Sequence, residues 1–255
     1  MLKFLYQTVP GRCILKLLTR PGLSRFVGRF MDSALSRPII PRFIRKNNID
    51  MNDYLDEEYG CFNDFFCRRI RPELRPMNMD SSVLPAPCDG LLSAYPITDS
   101  LVVRDEELAK KYENGTCLVF RLCVHHYHRY AYPDGGRKTK NVFIPGVLHT
   151  VRPVALRELP VFTENAREYT VIRSENFGDL LQMEVGAMLV GKIDNYHQEA
   201  DVRRGQEKGR FLYGGSTIIL LLEPGTAAVT EKFFETTRAG EETEVKMGEA
   251  IGRRG

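Results

Sequence analysis

The segment 211–222, FLYGGSTIILLL, constrains the fold of this chain more than any other stretch. Five consecutive large apolar residues follow Thr217, and Glu223-Pro224-Gly225 closes the run. A short apolar run that starts with β-branched residues and ends at Pro-Gly predicts a buried strand. The two glycines before it permit backbone conformations that other residues resist. The sequence therefore predicts a rigid strand that the chain enters through a pliable peptide.

Ser216, at the mouth of this strand, allows two interpretations. The first is an ordinary tight turn that leads into a core strand. The second is a self-processing site, because a serine hydroxyl can attack the carbonyl carbon of the preceding residue, Gly215, when the turn is strained and a base is near. The segment alone favours the turn, so the choice depends on the rest of the chain.

The chain as a whole predicts an α+β fold. In residues 1–46 apolar side chains recur at spacings of three and four, and Pro-Gly pairs divide the segment into short helices. Beyond residue 83, Gly and Pro separate short β-like runs. We expect N-terminal amphipathic helices (residues 1–80) packed on a β-rich, mostly antiparallel, barrel-like or sandwich-like catalytic body (residues 81–255). Strands are predicted over 91–95, 116–124, 141–144, 169–173, 180–185, 188–193, 217–222 and 227–229, a helix over 105–112, and a strand-turn-strand over 243–252.

Charge is distributed unevenly along the chain. The net charge of +3 is too small to indicate a nucleic-acid partner, but residues 1–46 hold ten Lys or Arg and a single acid. Short basic amphipathic helices suit an anionic membrane surface, and a helical cap on the core is the alternative. No run of eighteen apolar residues occurs, so no membrane-spanning segment is expected. The six cysteines form no C-x-x-C pair and are interpreted as reduced thiols in a cytosolic setting.

Two further segments carry candidate chemistry. Asp89, in PAPCDG, is either part of a hairpin turn or a carboxylate that stiff prolines hold against a histidine. The segment CVHHYHRY places His126 and His128 on one face of an extended chain and His125 on the other. Either this is a His-rich strand end, or one imidazole acts as a general base. A metal site lacks an evident third ligand.

Six segments, in this order, resemble phosphatidylserine decarboxylase proenzymes of the bacterial type. The resemblance covers roughly residues 50 to 250, and its last segment is the most specific because the family cuts itself at such a Gly-Ser bond. The matching segments are FNDFFCRRIRPELRP (62–76), PAPCDG (85–90), FRLCVHHYHRYAY (120–132), IPGVLHTV (144–151), GDLLQMEVGAMLVGK (178–192) and GQEKGRFLYGGSTIILLL (205–222).

The resemblance implies cleavage between Gly215 and Ser216 into a β chain (1–215) and an α chain (216–255), which stay together as a heterodimer. Ser216 would become a pyruvoyl group that forms a Schiff base with phosphatidylserine and releases CO2 to give phosphatidylethanolamine. Because this group is itself an electron sink, neither pyridoxal phosphate nor a metal is expected. Carried over by motif, His128 would deprotonate Ser216 and Asp89 would orient the imidazole.

The chain departs from the family pattern at Ala131, where many members carry a second histidine. His128 would then do both jobs, or His149 would assist it, whereas His197 is interpreted as structural. The resemblance also implies a peripheral enzyme on the cytoplasmic side of the cell membrane, and a homo-oligomer is left open. Two alternatives remain: a pyruvoyl decarboxylase of another amino-headed lipid or amine, and an uncleaved carrier-like or lipid-binding module, since the closing strands also resemble biotinyl and lipoyl carriers.

Overall fold

The structure is a computed structural model that describes residues 2–19, 21–98, 106–151, 155, 158–187, 192–213 and 216–255. Helices and strands both contribute to it, as the sequence predicts. The helices are α1 (Leu2–Gln7), α2 (Val9–Leu18), α3 (Pro21–Met31), α4 (Ile39–Asn47), α5 (Phe62–Phe66), α6 (Glu106–Tyr112), α7 (Val161–Glu164) and α8 (Glu231–Arg238), with 3-10 turns at Ala34–Ser36, Met51–Asp53 and Pro72–Leu74. The strands are β1 (Val83–Pro85), β2 (Gly90–Pro96), β3 (Thr116–Leu122), β4 (Arg129–Ala131), β5 (Gly136–Lys138), β6 (Val142–Ile144), β7 (Arg167–Ser174), β8 (Asp179–Val185), β9 (Ile193–Asn195), β10 (Ala200–Val202), β11 (Glu207–Phe211), β12 (Ser216–Leu222), β13 (Ala227–Val229), β14 (Thr243–Val245) and β15 (Ala250–Arg254).

A large antiparallel sheet forms the body, and β12 lies near its middle. The strand order is β10-β5-β7-β8-β12-β3-β2-β14, and β6 pairs with β7. Because β12 has a neighbour on each side and both of its faces are covered, all seven of its residues are buried. This explains why its sequence is apolar without alternation, and the prediction of a buried strand over 217–222 is confirmed.

Two smaller antiparallel sheets complete the body, in the orders β1-β15-β13 and β4-β11-β9. Tyr130 of β4 and Phe211 of β11 share one hydrophobic core with Ile218 of β12 and Phe120 of β3. The sheet that contains β4 and β11 therefore covers one face of the large sheet. Among the described strands the large sheet keeps two edges, so the body is layered and is not a closed barrel.

Most of the predicted elements are present with small shifts at their ends. The helix predicted over 105–112 is α6, apart from Asp105, which lies outside the described residues. Of the strand predicted over 188–193, residues 188–191 also lie outside the described residues, and β9 begins at Ile193. The closing segment does form strand, turn and strand. Its two strands join different sheets, however, because β14 pairs with β2 whereas β15 pairs with β1 and β13.

The N-terminal helices pack on the body in two places. Leu5, Tyr6 and Leu15 of α1 and α2 bury their side chains against Val161 of α7 and Ala187 beyond β8. Farther along, an aromatic cluster joins α4 and α5 to the segment before β12, with centroid distances of 5.0 Å from the ring of Phe62 to those of Phe43 and Tyr213. The helical spacing of the apolar residues produces these buried faces. Among the described residues, none of the helices is both long enough and apolar enough to cross a bilayer.

Candidate active site

Ser216 begins β12 and lies fully inside the protein. Its Oγ is buried and makes no hydrogen bond in the part of the chain that the structure describes. A buried hydroxyl without a partner costs stability, so it requires an explanation. The other half of the predicted cleavage site, Gly215, lies outside the described residues, together with Gly214.

The segment that leads to Ser216 is held by bonds from several distant elements. The Phe211 N–H donates to the His128 carbonyl at 2.9 Å, and the Cys67 thiol donates to the Phe211 carbonyl at 3.2 Å. The Tyr213 N–H donates to Asn63 Oδ1 at 2.9 Å. These bonds fix the chain up to Tyr213, and the pairing of β12 with β3 and β8 fixes it again from Ser216.

His128, whose carbonyl oxygen accepts the Phe211 N–H, is fully buried. Its Nδ1 lies 2.9 Å from the His126 carbonyl oxygen, so we assign the ring proton to Nδ1. Nε2 is then an unprotonated acceptor, and it has no hydrogen-bond partner among the described residues. Burial, assisted by the positive charge of Arg68, lowers the pKa of His128 well below its usual 6.5. The ring is therefore neutral at neutral pH, which is the form that can accept a proton.

Asp89 is engaged by partners other than His128. Arg75 donates to its carboxylate through Nε at 2.7 Å and through Nη2 at 2.6 Å, and the Met247 N–H donates at 2.9 Å. Paired donors of this kind fix a carboxylate firmly. The structure thus shows no bond between Asp89 and His128, whose Nδ1 is occupied by a backbone carbonyl. The role of Asp89 in orienting the imidazole stays a prediction.

Ala131, the position at which the chain departs from the family pattern, lies near the segment that carries Asp89. The Ala131 N–H donates to the Pro87 carbonyl at 2.9 Å, so position 131 lies beside the segment that carries Asp89. A methyl group cannot bond to a carboxylate, and Arg75 and Met247 satisfy Asp89 instead.

The neighbouring histidines form a cluster with Glu244. The ligand atoms of His125, His126 and Glu244 lie within 4.8 Å of one another. However, His126 Nδ1 accepts the Cys123 N–H at 3.0 Å, so the neutral ring carries its proton on Nε2, the nitrogen that faces Glu244 at 3.7 Å. Burial lowers the pKa of His126 to about 4. The tautomer therefore suits an N–H directed at a carboxylate better than a metal ligand.

The remaining histidines differ in their surroundings. His149 is buried, its backbone N–H donates to Asn165 Oδ1 at 2.9 Å, and its Nδ1 lies 3.5 Å from the hydroxyl of Tyr6. His197 Nδ1 lies 3.2 Å from the Tyr132 hydroxyl. This contact joins the segment after β9 to the segment after β4, which agrees with a structural role.

Sequence reasoning missed a charged pair on the same face of the sheet as Ser216. Lys208 Nζ lies 2.5 Å from Glu184 Oε2, and both side chains are fully buried. Glu184 is paired across the strands with Ile218, and residues two apart on a strand share a face, so its side chain and that of Ser216 point to the same side. Burial raises the pKa of Glu184 and lowers that of Lys208. No local pattern marks this pair, because its members lie 24 residues apart.

Comparison with known proteins agrees with the resemblance of the six segments. The model of a family described as phosphatidylserine decarboxylase matches residues 62–253. A protein of Clostridium acetobutylicum named phosphatidylserine decarboxylase proenzyme 2 is 42% identical to this chain, over 98% of this chain and 91% of its own length. Proteins named phosphatidylserine decarboxylase proenzyme are 39% identical in Clostridium perfringens (98% and 91%) and 37% identical in Clostridium botulinum (99% and 92%).

Proposed function

The chain belongs to the phosphatidylserine decarboxylase family, and we propose that it cuts itself between Gly215 and Ser216 and then converts phosphatidylserine to phosphatidylethanolamine. The observation that carries this proposal is the buried Ser216 hydroxyl, which has no hydrogen-bond partner among the described residues at the start of a rigid central strand. The buried, unprotonated Nε2 of His128 supports the proposal. The carbonyl oxygen of the same residue accepts a hydrogen bond from the Phe211 N–H.

The cleavage that we propose uses groups of the chain itself. His128 Nε2 takes the proton of Ser216 Oγ, and the oxygen attacks the carbonyl carbon of Gly215. The Ser216 nitrogen leaves as an amine, so the amide becomes an ester. Loss of the Cα proton then breaks the bond between Cβ and Oγ and releases residue 215 as a carboxylate. Water finally replaces the nitrogen, which departs as ammonia, and residue 216 becomes a pyruvoyl group.

The environment of residue 216 fits a buried reactive carbonyl. The pyruvoyl group supplies an electron sink for the pair of electrons that is left when CO2 departs. The body excludes water around residue 216, because all residues of β12 are buried. His128 is the group that we expect to return a proton to the substrate carbon, since its Nε2 is buried and has no hydrogen-bond partner among the described residues.

We further propose that residues 1–80 form a membrane-contacting region on a catalytic body of residues 81–255, and that the enzyme binds peripherally to the cytoplasmic face of the cell membrane. The N-terminal helices expose large apolar side chains, with Val9 and Phe26 each 73% exposed and Leu35 76% exposed. Basic residues are interspersed with them. Apolar side chains surrounded by Lys and Arg bind an anionic lipid surface through burial and charge together.

A denaturing gel with intact mass spectrometry tests the proposal. Wild-type protein should give two chains, 1–215 and 216–255, the second capped by a pyruvoyl group, and should release CO2 from phosphatidylserine vesicles. Ser216→Ala should remain a single chain without activity, and Asp89→Asn should be cut much more slowly. An active preparation whose chain is continuous across residues 215 and 216 would contradict the proposal and favour the carrier-like alternative.

A second variant tests the role of the imidazole. His128→Ala should either remain uncut or be cut without releasing CO2. If this variant both cuts itself and decarboxylates at the wild-type rate, the base is another group. Turnover of free phosphoserine in preference to the lipid would instead indicate the other decarboxylase alternative.

A further inference from the structure

The proposed cleavage removes two protons from residue 216, and they leave in different directions. His128 Nε2 takes the first from Oγ and passes it to the Ser216 nitrogen when the amide becomes an ester. The second leaves Cα in the elimination. In an antiparallel sheet the Cα–H bonds point along the sheet toward adjacent strands. The acceptor of the second proton therefore belongs on β3 or β8, the two strands that flank β12.

Glu184 is the carboxylate that these two strands place nearest to the start of β12. The strand β3, TCLVFRL, contains no acidic residue, and β8, DLLQMEV, contains Asp179 and Glu184. Asp179 lies at the other end of β8 and forms an ion pair with Lys111. Glu184 lies opposite Ile218, which is two positions from Ser216 and therefore on the same face of the sheet.

The side chain of Glu184 has one anchored oxygen and one free oxygen. Its Oε2 accepts hydrogen bonds from Lys208 Nζ at 2.5 Å and from Asn195 Nδ2 at 3.1 Å. Its Oε1 is buried and has no hydrogen-bond partner in the part of the chain that the structure describes. Diagonal neighbours on adjacent antiparallel strands lie about 7–8 Å apart, a separation across which long side chains interact. The free oxygen of Glu184 is thus within reach of residue 216.

The surroundings of Glu184 suit a base. Burial raises its pKa, the Lys208 ammonium opposes the shift, and the nearby Glu168 carboxylate assists it. A carboxylate whose pKa is raised accepts a proton more readily than an exposed carboxylate does. The ammonium group of Lys208 keeps this carboxylate ionised although both side chains are fully buried.

We infer that Glu184 is the base of the elimination step. Its Oε1 accepts the Cα proton of residue 216, and the electron pair of the C–H bond forms the double bond between Cα and Cβ. The bond between Cβ and Oγ breaks, and Oγ leaves with residue 215 as part of a carboxylate. The proton then returns from Glu184 to Cβ, which becomes a methyl group before water displaces the nitrogen. This inference rests on the proposed function and adds a second proton acceptor to it.

The ester that precedes the elimination provides a direct readout. Mild hydroxylamine splits an ester and leaves ordinary peptide bonds intact. It should release chain 216–255 with a serine at its N-terminus instead of a pyruvoyl group, and intact mass spectrometry distinguishes the two. Protein from cell-free synthesis is sampled over time, so that a slowed step becomes visible. Ser216→Ala cannot form the ester and gives the background.

Glu184→Met/Lys208→Met removes the base together with the cation that would otherwise lose its partner. This variant should accumulate the hydroxylamine-sensitive ester and complete its cleavage about a hundredfold more slowly, because a general base typically contributes at least that factor. Glu168→Gln is the matched control, since Glu168 lies opposite Glu184 on β7, one strand farther from β12. It should cut itself at the wild-type rate and accumulate no ester.

Glu184→Asp is a second variant, which keeps a carboxylate beside Lys208 but shortens its side chain by one methylene. Elimination should slow about tenfold, because the carboxylate no longer reaches the Cα proton well. Breaking of the Cα–H bond then limits the rate. Incorporation of serine deuterated at Cα should therefore slow this variant further, while formation of the ester stays unchanged.

The outcomes separate this inference from the proposed function. Wild-type protein that stays a single chain would contradict the proposed function itself. If the wild type is cut and a folded Glu184→Met/Lys208→Met variant is cut at the same rate, only the role of Glu184 is refuted. A folded variant that stays uncut and resists hydroxylamine also refutes it, because the defect then precedes the elimination. If the melting temperature shows that the double variant is unfolded, Glu184→Asp decides by the same criteria.

Discussion

The buried pair of Lys208 and Glu184 allows a sharp test of how the core is stabilised. Lys208 Nζ donates to Glu184 Oε2 at 2.5 Å and to Asn195 Oδ1 at 3.0 Å, and both charged side chains are fully buried. Lys208→Met keeps most of the volume and removes the cation. Because removal of one partner leaves an uncompensated buried charge, we expect the free energy of unfolding to fall by about 3–5 kcal/mol. The exposed pair of Arg238 and Glu231 provides the control, since Arg238→Met should cost less than about 1 kcal/mol.

The pH dependence of the variant follows from the direction of the pKa shift. Burial raises the pKa of Glu184 above its ordinary 4.5, and loss of Lys208 raises it further. A group with a raised pKa in the folded state contributes stability below its ordinary pKa and loses that contribution as pH rises through the folded value. Lys208→Met should therefore be less stable at pH 8 than at pH 5, with a slope of at most about 1.4 kcal/mol per pH unit.

The measurement is urea unfolding of the uncut Ser216→Ala chain, with and without Lys208→Met. The chain has eleven tyrosines and no tryptophan, so tyrosine fluorescence and circular dichroism are suitable probes. Adding Glu184→Met to Lys208→Met should recover more than half of the loss, because the unpaired charge is then gone. A cost below about 1 kcal/mol for Lys208→Met, or one that does not change between pH 5 and pH 8, would refute the reasoning.

Three further changes have outcomes that the structure predicts. Arg75→Gln should lower the free energy of unfolding by about 3 kcal/mol in urea and slow self-cleavage in a time course, since the side chains of Arg75 and Asp89 form a largely buried pair. Gly209→Ala should cost about 1–3 kcal/mol and lower the melting temperature, because an added Cβ would collide with a backbone carbonyl oxygen of β9. Iodoacetamide at pH 8 should modify exposed Cys13 and spare Cys67, whose pKa burial raises to about 12, as peptide mass spectrometry will show.

The sequence predicts the elements of this fold better than their partners. The run after Thr217 is apolar at every position, and a strand covered on both faces has that pattern without any knowledge of its neighbours. The sequence does not predict that β14 and β15 join different sheets. The same turn residues would suit a hairpin in which the two strands pair with each other. Short-range patterns indicate which faces of a strand are buried. They do not indicate which sheet the strand joins, because that depends on contacts with residues far away in the chain.

The same limit applies to the candidate site. Motifs predict Asp89, His128 and Ser216 as site residues, but the hydrogen-bond partners of Asp89 lie 14 and 158 positions away in the chain. A cavity of about 630 Å³ is lined both by residues of α2 and by residues that follow β6, and no local sequence pattern predicts that these segments meet.

Unpaired polar atoms in the core connect the fold with the proposed chemistry. Ser216 Oγ, His128 Nε2 and Glu184 Oε1 are buried and have no hydrogen-bond partner among the described residues. Each such atom costs about 1–3 kcal/mol, so a core selected for stability alone would replace them with apolar groups. Ser216 and Glu184 also lie on one face of one sheet, in neighbouring strands. Polar atoms that are retained at a cost to stability mark where the protein needs groups that can still accept or give up a proton.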